Sequence, residues 1–522
     1  MVQDGQDRQD EVEAFLMTPS SYRPAPGKVD RIDTHGAMVF LAGKQAVKIK
    51  RAVALPYMDF STLDKRRAVC EREFELNRPN APRIYRDVVA ITREADGALR
   101  IGGSGEPVEW AVRMTRFDQE QILDRICERG ALDDDLLDRL ARIVAKAHKR
   151  APVDRSKPGH DRIAAIVDQI DRALAAAADV VPEDRRRLFA QMAGDALADA
   201  RHCLDLRAER GFVRRCHGDL HLANIVVMDG EPALFDALEF DDELATIDVL
   251  YDLAYLLMDL IERGRRAEAH RVLNRYLRYD DALANVYGLV ALPLFLACRA
   301  GVRAIVSLDR AGQVDGEEKA ALEKRALAYL DAALGYLAPS TPRLVAIGGL
   351  SGTGKTTLAA GLAPGIGRAP GALHLRSDVE RKAMFNVDDT DALPEEAYTQ
   401  EASDRVYDLL LQKARIALRA GHSVVVDAVF MKRDERVDIA KVASELDAPF
   451  AGLWLSASPD TMIARVEARQ GDASDADEEI VRRQIAHATG PVSWTAIDAS
   501  RTPEATLEVA RDIVDDAFAI AS

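Results

Sequence analysis

Two short stretches of this 522-residue chain carry residue types suited to handling phosphate. In HGDLHLANI, residues 217–225, Asp219 follows His217 by two positions and Asn224 follows Asp219 by five. An imidazole, a carboxylate and an amide so spaced form either an ordinary polar turn or a reactive loop. In GGLSGTGKTT, residues 348–357, the run Gly349, Leu350, Ser351, Gly352, Thr353, Gly354, Lys355 and Thr356 fits GxxxxGK followed by Ser or Thr, with Thr357 next. Glycines there let backbone N–H groups curl around phosphates, and the following helix offers its positive end. Lys355 would reach the β- and γ-phosphates of ATP, and the Thr356 hydroxyl would ligate Mg2+. The motif needs a strand before it and a helix after it, and LVAIG and TLAAGLA supply them. A plain glycine-rich turn is the bland alternative.

Both stretches need elements to hold them. MVFLAG and AVKIK predict a hairpin around Gly43-Lys44, and PVEWAVRMTRF predicts another alternating strand. Between them, DKRRAVCEREFELNR is charged and helical. Helical patterning runs from 117 to 210; the 217–225 loop, two short strands and further helices follow. Pro339, Ser340, Thr341 and Pro342 then punctuate the chain. Beyond them LVAIGG, ALHLRS, HSVVVDA, FAGLWLSA and WTAIDAS alternate with helical segments, which indicates a parallel sheet. The expected division is a polar tail over 1–29, an α+β domain over 30–337, a linker over 338–342 and an α/β domain over 343–522. The first domain would split into a small β-rich lobe near 30–116 and a helical lobe near 117–337. The halves show no internal repeat.

Composition narrows the function classes. The net charge is −16, which repels nucleic-acid backbones and anionic membranes and favours small-molecule chemistry. Cys70, Cys127, Cys203, Cys216 and Cys298 are scattered without CxxC spacing, which argues against a disulfide framework or a structural zinc. The acidic N-terminus lacks signal-peptide order, and the apolar run at 286–298 is too short to span a bilayer, so the expectation is a cytoplasmic protein.

The C-terminal motifs resemble P-loop kinases related to polynucleotide 5′-kinases, zeta toxins and nucleoside monophosphate kinases. That resemblance implies that Asp378, in LRSDVERK, is the general base facing the acceptor hydroxyl. The alternative is a helix start, since Ser377 to Glu380 also spell a capping box. Asp427, closing VVVD, resembles a Walker B aspartate at the magnesium, or else caps the next segment. Arg465 and Arg469 lie one turn apart and would reach over the phosphates as a lid, or else form a solvated helix face.

HGDLHLANI, followed by Asp236 in ALFDALEF and by Asp248 and Tyr251-Asp252-Leu253-Ala254, resembles the protein-kinase-like fold of the aminoglycoside phosphotransferase family. The resemblance implies that Asp219 is the base, that Asn224 and Asp236 hold Mg2+, and that His217 props the loop. A kinase-like fold also requires a strand lysine paired with a helix glutamate. AVKIK offers Lys48, with Lys50 a competitor on the same strand face, and ERE offers Glu71 and Glu73, of which Glu73 is preferred. No GxGxxG loop precedes AVKIK; Thr34-His35-Gly36 stands there instead.

Together the halves resemble a bacterial fusion class, a resemblance that does not identify the acceptor. The leading expectation is an ATP-dependent phosphotransferase with two nucleotide sites, acting on hydroxyls of small molecules such as a sugar, amino sugar or nucleoside-like metabolite. One alternative makes one domain a nucleotide sensor for the other. A second has the C-terminal domain phosphorylate nucleic-acid 5′-hydroxyl ends, against which the charge weighs. The acceptors and the oligomeric state are not written in the sequence.

Overall fold

The computed structural model describes residues 2–34, 36–55, 58–279, 282–388, 391–468, 473–487 and 490–520. By packing, the chain divides into two compact units, residues 1–156 with 211–259 and residues 157–210 with 260–522.

The first unit is built on a six-stranded antiparallel sheet in the order Val29–Asp33, Ala37–Ala42, Gln45–Lys50, Glu106–Thr115, Tyr85–Arg93 and Leu99–Ile101. The expected hairpin turns at Gly43, whose φ of 61° suits glycine. Alternation along Gln45–Lys50 sends Val47 and Ile49 to one face, with Phe40 and Ile91. It sends Ala46 to the other face, with Cys70 and Ile84.

Helix Leu63–Asn77 covers the Ala46 face. The Thr62 hydroxyl accepts the Lys65 N–H at 3.3 Å and starts it, and Arg66, Cys70, Glu73 and Asn77 form its buried stripe.

The opposite face is covered by the segment expected to be a polar tail, and that expectation is corrected. Val2–Met17 is a helix, and Val12, Leu16 and Tyr22 join Val47 and Ile49 in the core. Without this cover the second apolar face of the sheet would stand in water. Gln9 pins the helix: its Nε2 donates to the Lys50 carbonyl at 2.8 Å and to Glu109 Oε2 at 2.9 Å, and its Oε1 accepts the Ala52 N–H at 2.8 Å. Replacing Gln9 by Ala strands buried partners, and the expected loss is about 1–2 kcal/mol of stability. The shift of the urea unfolding midpoint measures it, and an unchanged midpoint would show that the helix is not held this way.

The second unit contains the expected parallel sheet. Its strands run in the order Leu373–Arg376, Val424–Asp427, Leu344–Gly348, Phe450–Ser456 and Thr495–Asp498. The chain moves from the central strand first to one side and then to the other. That leaves a switch point at the C-terminal end of Leu344–Gly348, where open α/β sheets bind ligands. The helices Gly159–Ala176, Glu183–Glu209, Arg266–Tyr276, Leu292–Ala311 and Gly316–Leu337 belong to this same unit.

The punctuated segment does lie between elements, since one helix ends at Leu337 and the next strand begins at Leu344. Packing nevertheless groups helices from before it with the sheet after it, because Arg266–Tyr276 hydrogen-bonds to the sheet's edge. The apolar run belongs to a helical stretch, Ala282–Ala311, long and apolar enough to cross a membrane, yet 72% of its apolar window is buried within the protein.

Candidate active sites

In the first unit the site is assembled from a strand, a helix and two loops. Strand Gln45–Lys50 delivers Lys48, whose Nζ lies 2.9 Å from Glu73 Oε1 and 2.5 Å from Asp236 Oδ1. Lys50 Nζ lies 2.6 Å from Glu73 Oε2 and bonds Glu239 as well. Glu73 therefore stands between both lysines, whereas Glu71 pairs with Arg67 on the surface. Glu73 is fully buried, at 0% exposure, and burial alone would favour its neutral form. The two ammonium groups outweigh that and hold its carboxyl down at about 2. Tyr85 joins the cluster: its hydroxyl accepts the Asp236 N–H at 3.1 Å.

The loop around Asp219 is fixed from below. Asp252, on helix Val249–Glu262, accepts the N–H groups of His217 at 3.1 Å and Gly218 at 2.9 Å, and its Oδ2 lies 3.1 Å from His148 Nε2. Gly218 takes a φ of 83°, and a Cβ there would stand 2.8 Å from that of Ala245, so the turn needs glycine. Burial holds the His217 imidazole below its ordinary value, towards the neutral form. Its Nδ1 accepts the Asp219 N–H at 3.3 Å and its Nε2–H donates to the Phe235 carbonyl at 3.0 Å. His217 thus ties the Asp219 loop to the residue before Asp236.

Asn224 Nδ2 donates to Asp219 Oδ2 at 2.9 Å, which leaves its amide oxygen as the atom a metal would use. Asp236 itself has a φ of 59°, in the left-handed region that few residues other than glycine and the Asp/Asn pair adopt. Asp219, Asn224 and Asp236 offer oxygen donors, which suit a hard cation.

The second unit holds a cavity of about 610 Å³ at the sheet's switch point. Its floor is the phosphate loop from Ser351 to Thr357. Gly354 caps helix Lys355–Leu362 with a φ of 90°, and at Gly352 a Cβ would meet the Met462 carbonyl at 2.3 Å. Gly349, at the strand end, stands outside the cavity wall, its N–H donating to the Val429 carbonyl at 3.3 Å. Lys355 Nζ donates to the Leu350 carbonyl at 3.0 Å.

Asp427 and Asp378 both line this cavity. Asp427 Oδ1 accepts from the Thr356 hydroxyl at 3.2 Å, so two hard oxygen donors meet where a magnesium ion would fit. Burial opposes the ionisation of Asp427, but His374, Arg376 and Lys355 keep its carboxyl below the ordinary value. Asp378 behaves oppositely. Burial, then the Asp427 charge, push its carboxyl up, against the pull of Lys355 and Arg376. Helix Ser377–Met384 starts at Arg376 without a side-chain cap, and Glu380 pairs with Lys413 at 2.6 Å, so the capping box does not form. Arg465 lines the cavity too and donates to the carbonyls of Ala499 at 2.9 Å and Thr353 at 3.5 Å. Arg469 lies outside the described residues.

A family model described as a phosphotransferase enzyme family matches residues 72–289, and one described as an AAA domain matches residues 344–491. Uncharacterized protein Rv2004c of Mycobacterium tuberculosis is 32% identical over 462 residues, covering 87% of this chain and 88% of that protein. Uncharacterized protein Mb2027c of Mycobacterium bovis matches with the same figures. The chain belongs to the family of these mycobacterial proteins. It joins an aminoglycoside phosphotransferase-like domain to a P-loop kinase-like domain, and it is an ATP-dependent phosphotransferase. Among solved structures, a choline/ethanolamine kinase family protein from Mesorhizobium loti is 14% identical with a TM-score of 0.38, covering 63% of this chain and 99% of that one.

Some members of these sites escape sequence reasoning. Tyr85 and Glu239 carry no motif, and nothing local ties either to Lys48 or Lys50. Ser474, which hydrogen-bonds Asp378, stands in an ordinary polar run. His374 and Arg376 did have a signal: strand alternation in ALHLRS sends both to one face, with Asp427 on the next strand.

Proposed function

We propose that each domain transfers the γ-phosphate of ATP to a hydroxyl of a small molecule, such as a sugar, amino sugar or nucleoside-like metabolite, in the cytoplasm. The observation that carries this reading is, for the P-loop domain, the cavity lined together by Lys355, Thr356, Asp427 and Asp378. Its volume of about 610 Å³ lies in the range of small-molecule sites.

The division of labour follows from the chemistry. Phosphoryl transfer is mostly positioning and charge neutralisation. When bound, Mg2+ would neutralise phosphate oxygens, held by Thr356 and Asp427 in one domain and by Asn224 and Asp236 in the other. The loop N–H groups, Lys355 and the lid arginines Arg465 and Arg469 would orient the phosphates in the P-loop site. Lys48, aimed by Glu73, would do so in the kinase-like site. The acceptor oxygen attacks the γ-phosphorus, its proton passes to Asp219 or Asp378, and the bond to the β-phosphate oxygen breaks to release ADP.

An ATP-consumption screen of a metabolite library with the full-length chain tests the reading. The expected hits are hydroxylated small molecules; stimulation only by oligonucleotides bearing free 5′-hydroxyls would overturn it.

The raised Asp378 carboxyl predicts a pH profile. As pH falls through its raised value the carboxylate takes up a proton and the base is lost. In a chain carrying Asp219→Asn, the acid limb of kcat/KM should therefore lie above the ordinary aspartate value of 3.8. A limb at or below 3.8 would remove Asp378 from this role.

A further inference from the structure

Strand Leu373–Arg376 is an edge of the parallel sheet, bonded among the described residues to another strand on one side only. Helix Arg266–Tyr276 covers the segment leading into it and the strand itself. Arg266, His270 and Asn274 recur at four-residue spacing on one face of that helix. Arg266 donates to the Gly367 carbonyl at 2.9 Å and the Pro370 carbonyl at 3.2 Å. His270 Nε2 donates to the Ala372 carbonyl at 2.8 Å, and Asn274 Oδ1 accepts the His374 N–H at 2.7 Å. Asn274 is itself held, since its Nδ2 donates to the His270 carbonyl at 3.0 Å.

The last of these contacts fixes a residue that faces the phosphate site. The His374 side chain turns inward and places Nε2 at 2.9 Å from Asp427 Oδ2. The other oxygen of Asp427 takes the Thr356 hydroxyl at 3.2 Å. A continuous path thus runs from Asn274 through the His374 backbone and ring to Asp427 and Thr356. One carboxylate oxygen of Asp427 is committed to His374, which sets the direction of the other. A hydrogen-bonded partner of this kind orients a metal-binding group and tunes its affinity for the metal.

We infer that His374 is the positioning residue for Asp427, and that helix Arg266–Tyr276 sets His374 through Asn274, so the magnesium end of the P-loop site is built partly from outside the P-loop domain. The inference rests on the reading of Asp427 as a metal-binding residue.

The test is Mn2+ binding to the full-length chain in the presence of ADP, followed by electron paramagnetic resonance. Asp427→Asn defines the class of bound Mn2+ that belongs to the P-loop site. His374→Ala is expected to weaken that class about 10-fold or more, the usual cost of losing such an outer partner. His374→Gln, which keeps an N–H donor at similar reach, should restore binding most of the way. Asn274→Ala should weaken it about threefold, the size of one neutral hydrogen bond. If Asp427→Asn removes no Mn2+, the metal reading falls and this inference with it. If it removes Mn2+ while His374→Ala binds like the parent, the positioning role alone is overturned. A Gln variant as weak as the Ala variant would also overturn it, and an unchanged Asn274→Ala would overturn the part assigned to the helix.

Discussion

Asp219→Asn is expected to lower kcat at the kinase-like site by about 10²–10⁴-fold, the contribution of a positioned general base, with little change in KM for ATP. The substitution keeps the shape of the side chain and an oxygen able to accept the Asn224 N–H, now 2.9 Å from Asp219 Oδ2. Lys48, Glu73 and Asp236 are left untouched, so the charged cluster proposed to orient the phosphates persists. What goes is the capacity to take a proton from the acceptor. Steady-state kinetics with an acceptor from the library screen measure this, and Asp378→Asn in the same assay is the partner experiment. If each variant silences a different acceptor, the chain holds two working kinases and the sensor alternative fails. If only one variant has an effect, the other domain acts as a sensor. Full rates from both variants with every acceptor would overturn the two-kinase reading. Asp378→Asn should also stabilise the fold, because it removes a charge that burial disfavours.

The two loops proposed to handle phosphate stand out in the sequence because their chemistry is local. HGDLHLANI carries its carboxylate, amide and histidine within eight positions, and GGLSGTGKTT carries its glycines and lysine within ten. The C-terminal strands are legible for a related reason: each is a short apolar run between helices, and a sheet buried on both faces needs such runs.

What escapes is whatever depends on a distant partner. Residues 1–29 read as polar because the apolar stripe of Val12 and Leu16 is narrow, and its value lies in the sheet face it covers. Alternation in AVKIK places Lys48 and Lys50 on one face but cannot say which acid each will meet. That choice is made by Asp236 and Glu239, more than 180 positions away. The docking of helix Arg266–Tyr276 is likewise invisible, because a histidine and an asparagine on a helix look solvated until an edge strand lies against them.

Glu73→Gln tests the part of the first site that is also part of its core. Lys48 and Lys50 are 7% and 2% exposed, and Glu73 is the carboxylate they share. Breaking a buried ion pair by removing one partner costs about 3–5 kcal/mol, because it leaves a buried charge uncompensated. Asp236 and Glu239 still face the lysines, so the expected loss is near the lower end, about 3 kcal/mol. The pH dependence distinguishes this from a packing defect. The Glu73 carboxyl is held at about 2 against an ordinary 4.5, so its stabilisation is complete above 4.5 and is lost as pH falls towards 2. Both lysines are held above their ordinary 10.5, so their share is present below that value and lost only as pH rises through the raised ones. The gap between parent and variant in urea unfolding should therefore be widest between pH 4.5 and 10.5 and should shrink at pH 3. A gap of equal size at pH 7 and pH 3 would mean that shape, and not charge, is what Glu73 supplies. The variant should also raise KM for ATP, because Lys48 would lose the partner that aims it at the phosphates and would turn to Asp236 alone.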